Sequence, residues 1–429
     1  MLSFVLLEVI KNRLKIKQTV NIKYESGGIV MGNELLKGVN AYGVRTPLIQ
    51  IGDDLKKIVF DSVMERTGGK LPSKSIIAIT EAVVAMAQNN IVPAEAVAKD
   101  IERLYENSDR LVIVDPIQSR NRFSDVLIAI TKASNLKRVD IVLTCPTDEV
   151  GNSLLNEDLL DDIGFNFAED IMTEDDFVKN FGRPCHPFTN MDYIKLYRDI
   201  VEGLGKEINI YLCAPYAFYK LPKFLNCNDF LVASIHRKGL TKKRLLKGGA
   251  NRVFDLSDVL KNPVSGYEGY NSDYGCYGSN KMDEGVFKLL PRDCDKFVLE
   301  VQEMFKEKAG LDVEVMVYGD GAFKDPIGGI WELADPAVSL GHTSGINGKP
   351  KEVKIKYLIA QNKDKSLEEQ EKIIADALKL RQESDDETTM LAQGTTPRRI
   401  SDLAGSLCDL ISGSGKRQTP VVVIENYLE

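Results

Sequence analysis

The residues best suited to chemistry lie in turns. Val313 to Val317 reads as a buried strand, and the chain runs from it directly into Gly319-Asp320-Gly321. A carboxylate at a strand end, between glycines that let a ligand approach, is a usual position for a metal or a metal-bound phosphate. An Asx turn would use the same residues, so both readings stand. A second candidate is the loop Asn271-Ser-Asp-Tyr-Gly-Cys-Tyr-Gly-Ser-Asn280, whose Asp273, Ser279 and Asn280 could hold a hydrated cation or a nucleotide. A plain surface turn would have the same composition. The third is Ile411-Ser-Gly-Ser-Gly-Lys416-Arg417. It is not a P-loop. Leu410 stands where the first glycine belongs, Arg417 replaces the hydroxyl residue that would hold magnesium, and a helix precedes where a strand should. Its backbone amides, with Lys416 and Arg417, still suit an anion.

Other constellations are excluded by spacing. His186, His236 and His342 are too far apart to suggest a zinc site. No Cys-x-x-Cys pair occurs among Cys145, Cys185, Cys213, Cys227, Cys276, Cys294 and Cys408, so neither a zinc ribbon nor a dithiol redox centre is expected. No Gly-x-Ser-x-Gly elbow supports a serine hydrolase. The run from His236 through Lys242, Lys243, Arg244, Lys247 and Arg252 is strongly basic. It reads either as a solvated helix face or as a landing site for a polyanion.

Regular elements must position these turns. Asp53 to Arg66 places Leu55, Ile58, Val59, Ser62 and Val63 on one helical face, and Gly68-Gly69 stop it. Ser75 to Ala87 is apolar and reads as a strand running into a helix. Leu111 to Val114 and Val139 to Thr144 read as strands, with a helix over Ser124 to Ser134 between them. From Gly151 to about Tyr270 the composition shifts toward Asn, Asp, Tyr, Phe and Lys, with one clear strand at Ile208 to Ala214. Cys294 to Lys308 is an amphipathic helix stopped at Gly310. Val353 to Ile359 begins with strand-like alternation. Ser366 to Leu380 is a helix opened by a capping box of Ser366 with Glu369. Glu383 to Arg399 is polar and reads as a loop. A helix over Ile400 to Ile411 and a strand over Thr419 to Ile424 close the chain.

The whole chain has 429 residues, enough for two or three domains at ~150 residues each. With 43% apolar and 28% charged residues it has ordinary globular composition. A formal charge of -8 argues against duplex nucleic acid as a partner. No charge-free stretch of ~20 apolar residues predicts a membrane span. The apolar run Leu2 to Ile10 carries Glu8 and has its basic residues behind it, unlike a secretory signal. Seven dispersed cysteines suit a reducing compartment, and a cytoplasmic location is expected.

Several of these pieces fall into one order. Gly43-Val-Arg-Thr-Pro-Leu-Ile-Gln-Ile-Gly-Asp-Asp-Leu55 resembles the N-terminal motif of the coenzyme F-420 gamma-glutamyl ligases. Ser279-Asn280 followed by Leu289-Leu290-Pro291 is similar to that family's SN loop and downstream LLP. Val317-Tyr-Gly-Asp320-Gly with Gly328-Gly329 resembles its aspartate turn. Asp402-Leu-Ala through Pro420-Val-Val-Val resembles its last helix and strand. The similarity covers roughly residues 40 to 135 and 270 to 429.

The resemblance implies an α+β fold with a mixed-sheet ligase core, interrupted by an inserted α/β subdomain. The expected divisions are 1–150 and 266–429 for the core and 151–265 for the insertion. It implies a homodimer and an amide ligase that joins L-glutamate to a carboxylate acceptor through an acyl phosphate. The reaction would use GTP or ATP with magnesium or manganese. Asp320 would hold metal, with Asp273 as a substitute ligand because Tyr277 stands where the family has a second aspartate. Pro47, Leu48, Ile49, Gln50, Ser279, Asn280, Ser414, Gly415 and Lys416 would line the nucleotide. Ala82 and Met86 stand where the family carries phosphate-binding lysines. Lys242, Lys243, Arg244 and Lys247 are candidates to resupply that charge. The alternative is a family member that has lost catalysis and acts as a ligand-binding or interaction module.

Overall fold

The computed structural model describes residues 29–31, 34–36, 38–120, 122–186, 190–319, 323–324, 331–333, 338–351, 353–383, 399–412 and 419–428. The chain begins its main body with β1 (Asn40–Val44), α1 (Leu55–Thr67), β2 (Ser75–Thr80) and α2 (Glu81–Ala87). Next come β3 (Ile91–Pro93), α3 (Ala94–Leu104), β4 (Arg110–Val114), α4 (Arg122–Thr131) and β5 (Arg138–Thr144). The middle supplies β6 (Ile171–Thr173), α5 (Tyr193–Gly203), β7 (Ile210–Cys213), β8 (Asp229–Val232), α6 (Lys238–Lys247) and β9 (Arg252–Asp255). There follow β10 (Asn280–Asp283), β11 (Val286–Lys288), α7 (Cys294–Ala309), β12 (Val313–Tyr318) and β13 (Ser339–His342). The last elements are α8 (Ile355–Gln361), α9 (Leu367–Glu383), α10 (Ile400–Ser412) and β14 (Val421–Glu425).

These elements make an α+β fold of mixed sheets. One sheet has the order β13-β12-β2-β14-β1. Within it β2 and β12 are parallel, and the other neighbours are antiparallel. Period-two alternation sends Ile77 and Ile79 of β2 to one face, against α1 and α7. Ile76 and Ala78 go to the other face, against α10. α1 buries the stripe Leu55, Val59, Ser62 and Val63, is capped by the Asp54 carboxylate on Lys57 N, and stops at Gly68 in the left-handed region. α7 buries Cys294, Val298, Val301 and Phe305 and stops at Gly310. Each such aliphatic side chain, once fully buried, contributes roughly 1.5–3 kcal/mol.

The second sheet has the order β9-β8-β4-β5-β7-β6, parallel except for the edge strand β6. It takes β4 and β5 from before residue 150 and the rest from after it, so it runs across the expected division there. Its charged centre is Asp140, fully buried, which accepts from Arg110 and Arg138. A third, three-stranded sheet has the order β10-β11-β3 and joins the two units.

One expectation is corrected. Val353 to Ile359 does not continue as a strand; its residues enter α8. Ile355, Leu358 and Ile359 have helical spacing, and Lys354 and Lys356 imitate alternation only at the start. The expected loop over Glu383 to Arg399 lies mostly outside the described residues.

Two outcomes are expected. Ile77→Ala should lower unfolding free energy by ~2–5 kcal/mol in a urea titration, because β2 is packed on both faces. Asp115, which follows β4, is buried, and burial pushes its carboxyl up to about 7 despite the opposing pull of Arg237. From about 3.8, its ordinary value, to about 7 the native state therefore holds more protons than the unfolded state. Stability should fall as pH rises through that window, and Asp115→Asn should remove this component of the slope.

Candidate active site

The five-stranded sheet has one edge where four chain segments meet. β12 and β2 run parallel and end together, with Tyr318 opposite Thr80. β14 enters at the same edge, where Thr80 N–H donates to Pro420 O at 2.9 Å. β1 leaves there, with Val44 opposite Val421. Among the described residues the edge thus gathers the segment after β1, with Pro47–Gln50, the start of α2, Gly319 after β12, and Thr419 and Pro420 before β14. Asp320, Ser414, Gly415 and Lys416 lie outside the described residues. Their described neighbours are tied down. Gly319 N–H donates to Val338 O at 3.0 Å, and the Thr419 hydroxyl donates to Ser412 O at 2.8 Å.

Residues 47–50 run along this edge. Pro47, Leu48 and Gln50 are exposed, Leu48 by 79%, while Ile49 packs on the core. The segment is fixed at its far end, where Gln50 N–H donates to the Asp53 carboxylate at 2.7 Å and Gly52 N–H to Ala87 O at 3.0 Å. Beside it opens a cleft of about 330 Å³, lined among others by Asp53, Asp54, Lys56, Gln88, Lys296 and Glu300. Lys56 and Glu300 pair across it at 2.7 Å.

The loop before β10 reaches the same region through a buried ion pair. Ser279 is buried, and Asn280 opens β10 directly opposite Lys288 of β11. The Lys288 ammonium pairs with the carboxylate of Glu81, the first residue of α2. Both side chains are nearly buried, at 10% and 4% exposure. Neither residue was singled out from the sequence. The available signal was a lysine inside the apolar run Val286-Phe-Lys-Leu-Leu290. A cation buried in such a run needs a partner or a ligand.

Asp273 stands exposed on the same loop, its N–H on the Asn271 side chain at 3.0 Å. Asn271 anchors the loop by donating to Leu290 O and Pro291 O. Tyr277 turns away into the six-stranded unit, where its hydroxyl donates to Ser234 O at 2.6 Å. Among the described residues no group of three His, Cys, Asp or Glu side chains could hold a metal.

The basic candidates are distributed differently. Lys242 is held by Asp255 and Asp258, at 2.9 Å each. Arg244 donates to Pro215 O at 3.0 Å and lies over the Tyr216 ring. Lys243 and Lys247 are exposed. All four lie on α6, on the second sheet. Among the described residues no helix is long and apolar enough to cross a membrane.

The mixed sheets and the helices packed on them put the chain in the α+β class. The chain matches the family model described as F420-0:Gamma-glutamyl ligase over residues 43–426, and it belongs to that family of amide ligases, which join glutamate to a carboxylate. The match runs through the middle segment, which the motif resemblance had left out. No curated protein matches the chain.

The buried pair at this edge gives a direct test. Lys288→Met or Glu81→Gln alone should cost ~3–5 kcal/mol, since each leaves one charge buried without its partner. The double substitution should cost clearly less than the sum of the two. A double-mutant cycle by urea unfolding measures this.

Proposed function

We propose that this chain joins L-glutamate, or a similar amino acid, to a small carboxylate acceptor at the expense of GTP or ATP, as a homodimer. The acceptor carboxylate takes the terminal phosphoryl group, giving an acyl phosphate and a nucleoside diphosphate. The glutamate amine then attacks the acyl carbon and inorganic phosphate leaves, so the new amide bond replaces the acyl–oxygen bond. The observation that supports this reading is the match to the ligase family across residues 43–426, in a chain whose β1, β2, β12 and β14 end or begin at one edge beside Pro47–Gln50.

Roles follow from position. Pro47–Gln50, with Leu48 exposed, offer an apolar ledge for a base. Asn280 offers a side-chain amide to the nucleotide, and Ser279 supports it from the loop. Ser414, Gly415 and Lys416 would meet the phosphates. Lys288 lies beside this edge, but Glu81 neutralises it, so it does not replace the family's lysines, whose places are taken by Ala82 and Met86. Magnesium or manganese would be held by Asp320 with Asp273, whose oxygens suit a hard cation. Bound there, the ion neutralises charge on the phosphoryl group in transfer. Because no such cluster exists among the described residues, the set depends on Asp320.

The second reading is a family member that binds ligands without catalysis. Ala82 and Met86 favour it; the match to the ligase family across residues 43–426 weighs against it. Incubation with GTP or ATP, magnesium or manganese, glutamate and a panel of carboxylates should give a glutamyl adduct and nucleoside diphosphate by mass spectrometry. Asp320→Asn and Asn280→Ala should each lower the yield at least about tenfold, the value of one charge-assisted contact. Absence of nucleotide binding at millimolar concentration with either metal would rule the ligase reading out.

A further inference from the structure

The six-stranded sheet reverses its winding between β4 and β8. From β4 the chain steps outward through β5 to β7, then returns to β8 and β9 on the opposite side. Open α/β sheets of this kind bind ligands outside the carboxyl ends of the strands at that reversal. Here β8 leads through Ser234 toward α6, and the segment just ahead of the helix presents three successive N–H groups, from Ile235, His236 and Arg237. All three donate to the carboxylate of Glu149, those of His236 and Arg237 at 2.8 and 3.0 Å. Glu149 comes from the turn after β5. A row of N–H groups ahead of a helix is an anion site, and this one is filled by the chain's own carboxylate. Residues 237–247 carry six basic and no acidic side chains, although Arg237 and Lys242 are paired with aspartates of neighbouring segments.

An independent observation points to a ligand. Gln118, in the turn after β4, is 1% exposed, and neither end of its side-chain amide has a hydrogen-bond partner. Its backbone N–H donates to Asp148, the residue before Glu149, at 2.8 Å. Thr144 ends β5, is likewise 1% exposed, and its hydroxyl is also unpartnered. Buried polar groups are nearly always satisfied, by protein, water or ligand. Arg237 completes the set. One nitrogen pairs with Asp115 at 3.0 Å, while its Nε has no partner.

We propose that this crevice is a second ligand site, for a small molecule bearing a phosphate group. The phosphate replaces the Glu149 carboxylate on the N–H groups of residues 235–237, Arg237 contributes its free Nε–H, and polar groups of the ligand body meet Gln118 and Thr144. The site is separate from the ligase edge and does not depend on the ligase reading.

Isothermal titration calorimetry of the full chain with pyrophosphate tests it. Glu149→Gln removes the competing charge and should bind pyrophosphate at least about tenfold more tightly than the wild type. Adding Arg237→Gln should reverse that gain. Glu149 and Arg237 take no part in the proposed nucleotide site, so a response to both substitutions separates the two sites. Should Glu149→Gln fail to fold by circular dichroism, Arg237→Gln in the wild-type background decides, with weaker binding supporting the site and equal binding overturning it. Affinity indifferent to both substitutions, or no binding in any form, overturns it as well.

Discussion

The core depends on one backbone ladder. β14 lies between β1 and β2, so the last described strand completes the hydrogen bonding of two strands near the other end of the sequence. This placement fixes which loops share the sheet's working edge. It also leaves β2 buried on both faces and bonded on both sides. α2 starts from that strand, and Glu81 is its first residue. The Lys288–Glu81 pair then ties the β10–β11 hairpin, and with it Ser279 and Asn280, to the same edge. A charge pair in such surroundings adds little net stability, but it allows only one docking of the hairpin.

Much of the core was legible because its signals are local. Helical spacing in α1 and α7, the glycine stops at Gly68 and Gly310, and the capping box at Ser366 with Glu369 each need only a short window of sequence. The capping box forms as read, with Ser366 and Glu369 hydrogen-bonded to each other. The extent of the second sheet was not legible. β8 and β9 have four residues each and sit among polar neighbours; β9 pairs with β8, and β8 reaches β4 only through long-range contacts. The division expected at residue 150 followed composition, whereas the sheet follows pairing. Alternation misled at α8 because two lysines flanked one isoleucine before the helical spacing could show.

The motif segments of the candidate site were readable as sequence, and the nearness of Pro47–Gln50 to the start of α2 follows from topology, whereas Asp320 and Ser414–Lys416 lie outside the described residues. Lys288 and Glu81 are 207 positions apart, and no local pattern relates them. Glu149 and the first turn of α6 are hidden for the same reason. Tyr277 connects the two regions physically. It belongs to the loop that carries Asp273 and Asn280, yet its hydroxyl bonds Ser234 O and its ring lies under the Lys238 ammonium at 4.6 Å. The loop therefore also packs on the second sheet.

The nesting of one sheet within the other sets an order in time. All six strands of the inner sheet lie between Arg110 and Asp255, so a growing chain can close that sheet while the ribosome is still making the rest. The outer sheet has no such option. Ser75-Ile-Ile-Ala-Ile-Thr80 must wait, with its apolar faces open and one bonding edge vacant, until Val421–Glu425 has been synthesised. An unpaired strand of this composition is prone to self-association. Yield in the cell is thus governed by how well that early strand is shielded during the wait, and truncation near the carboxyl terminus would damage the oldest part of the chain first.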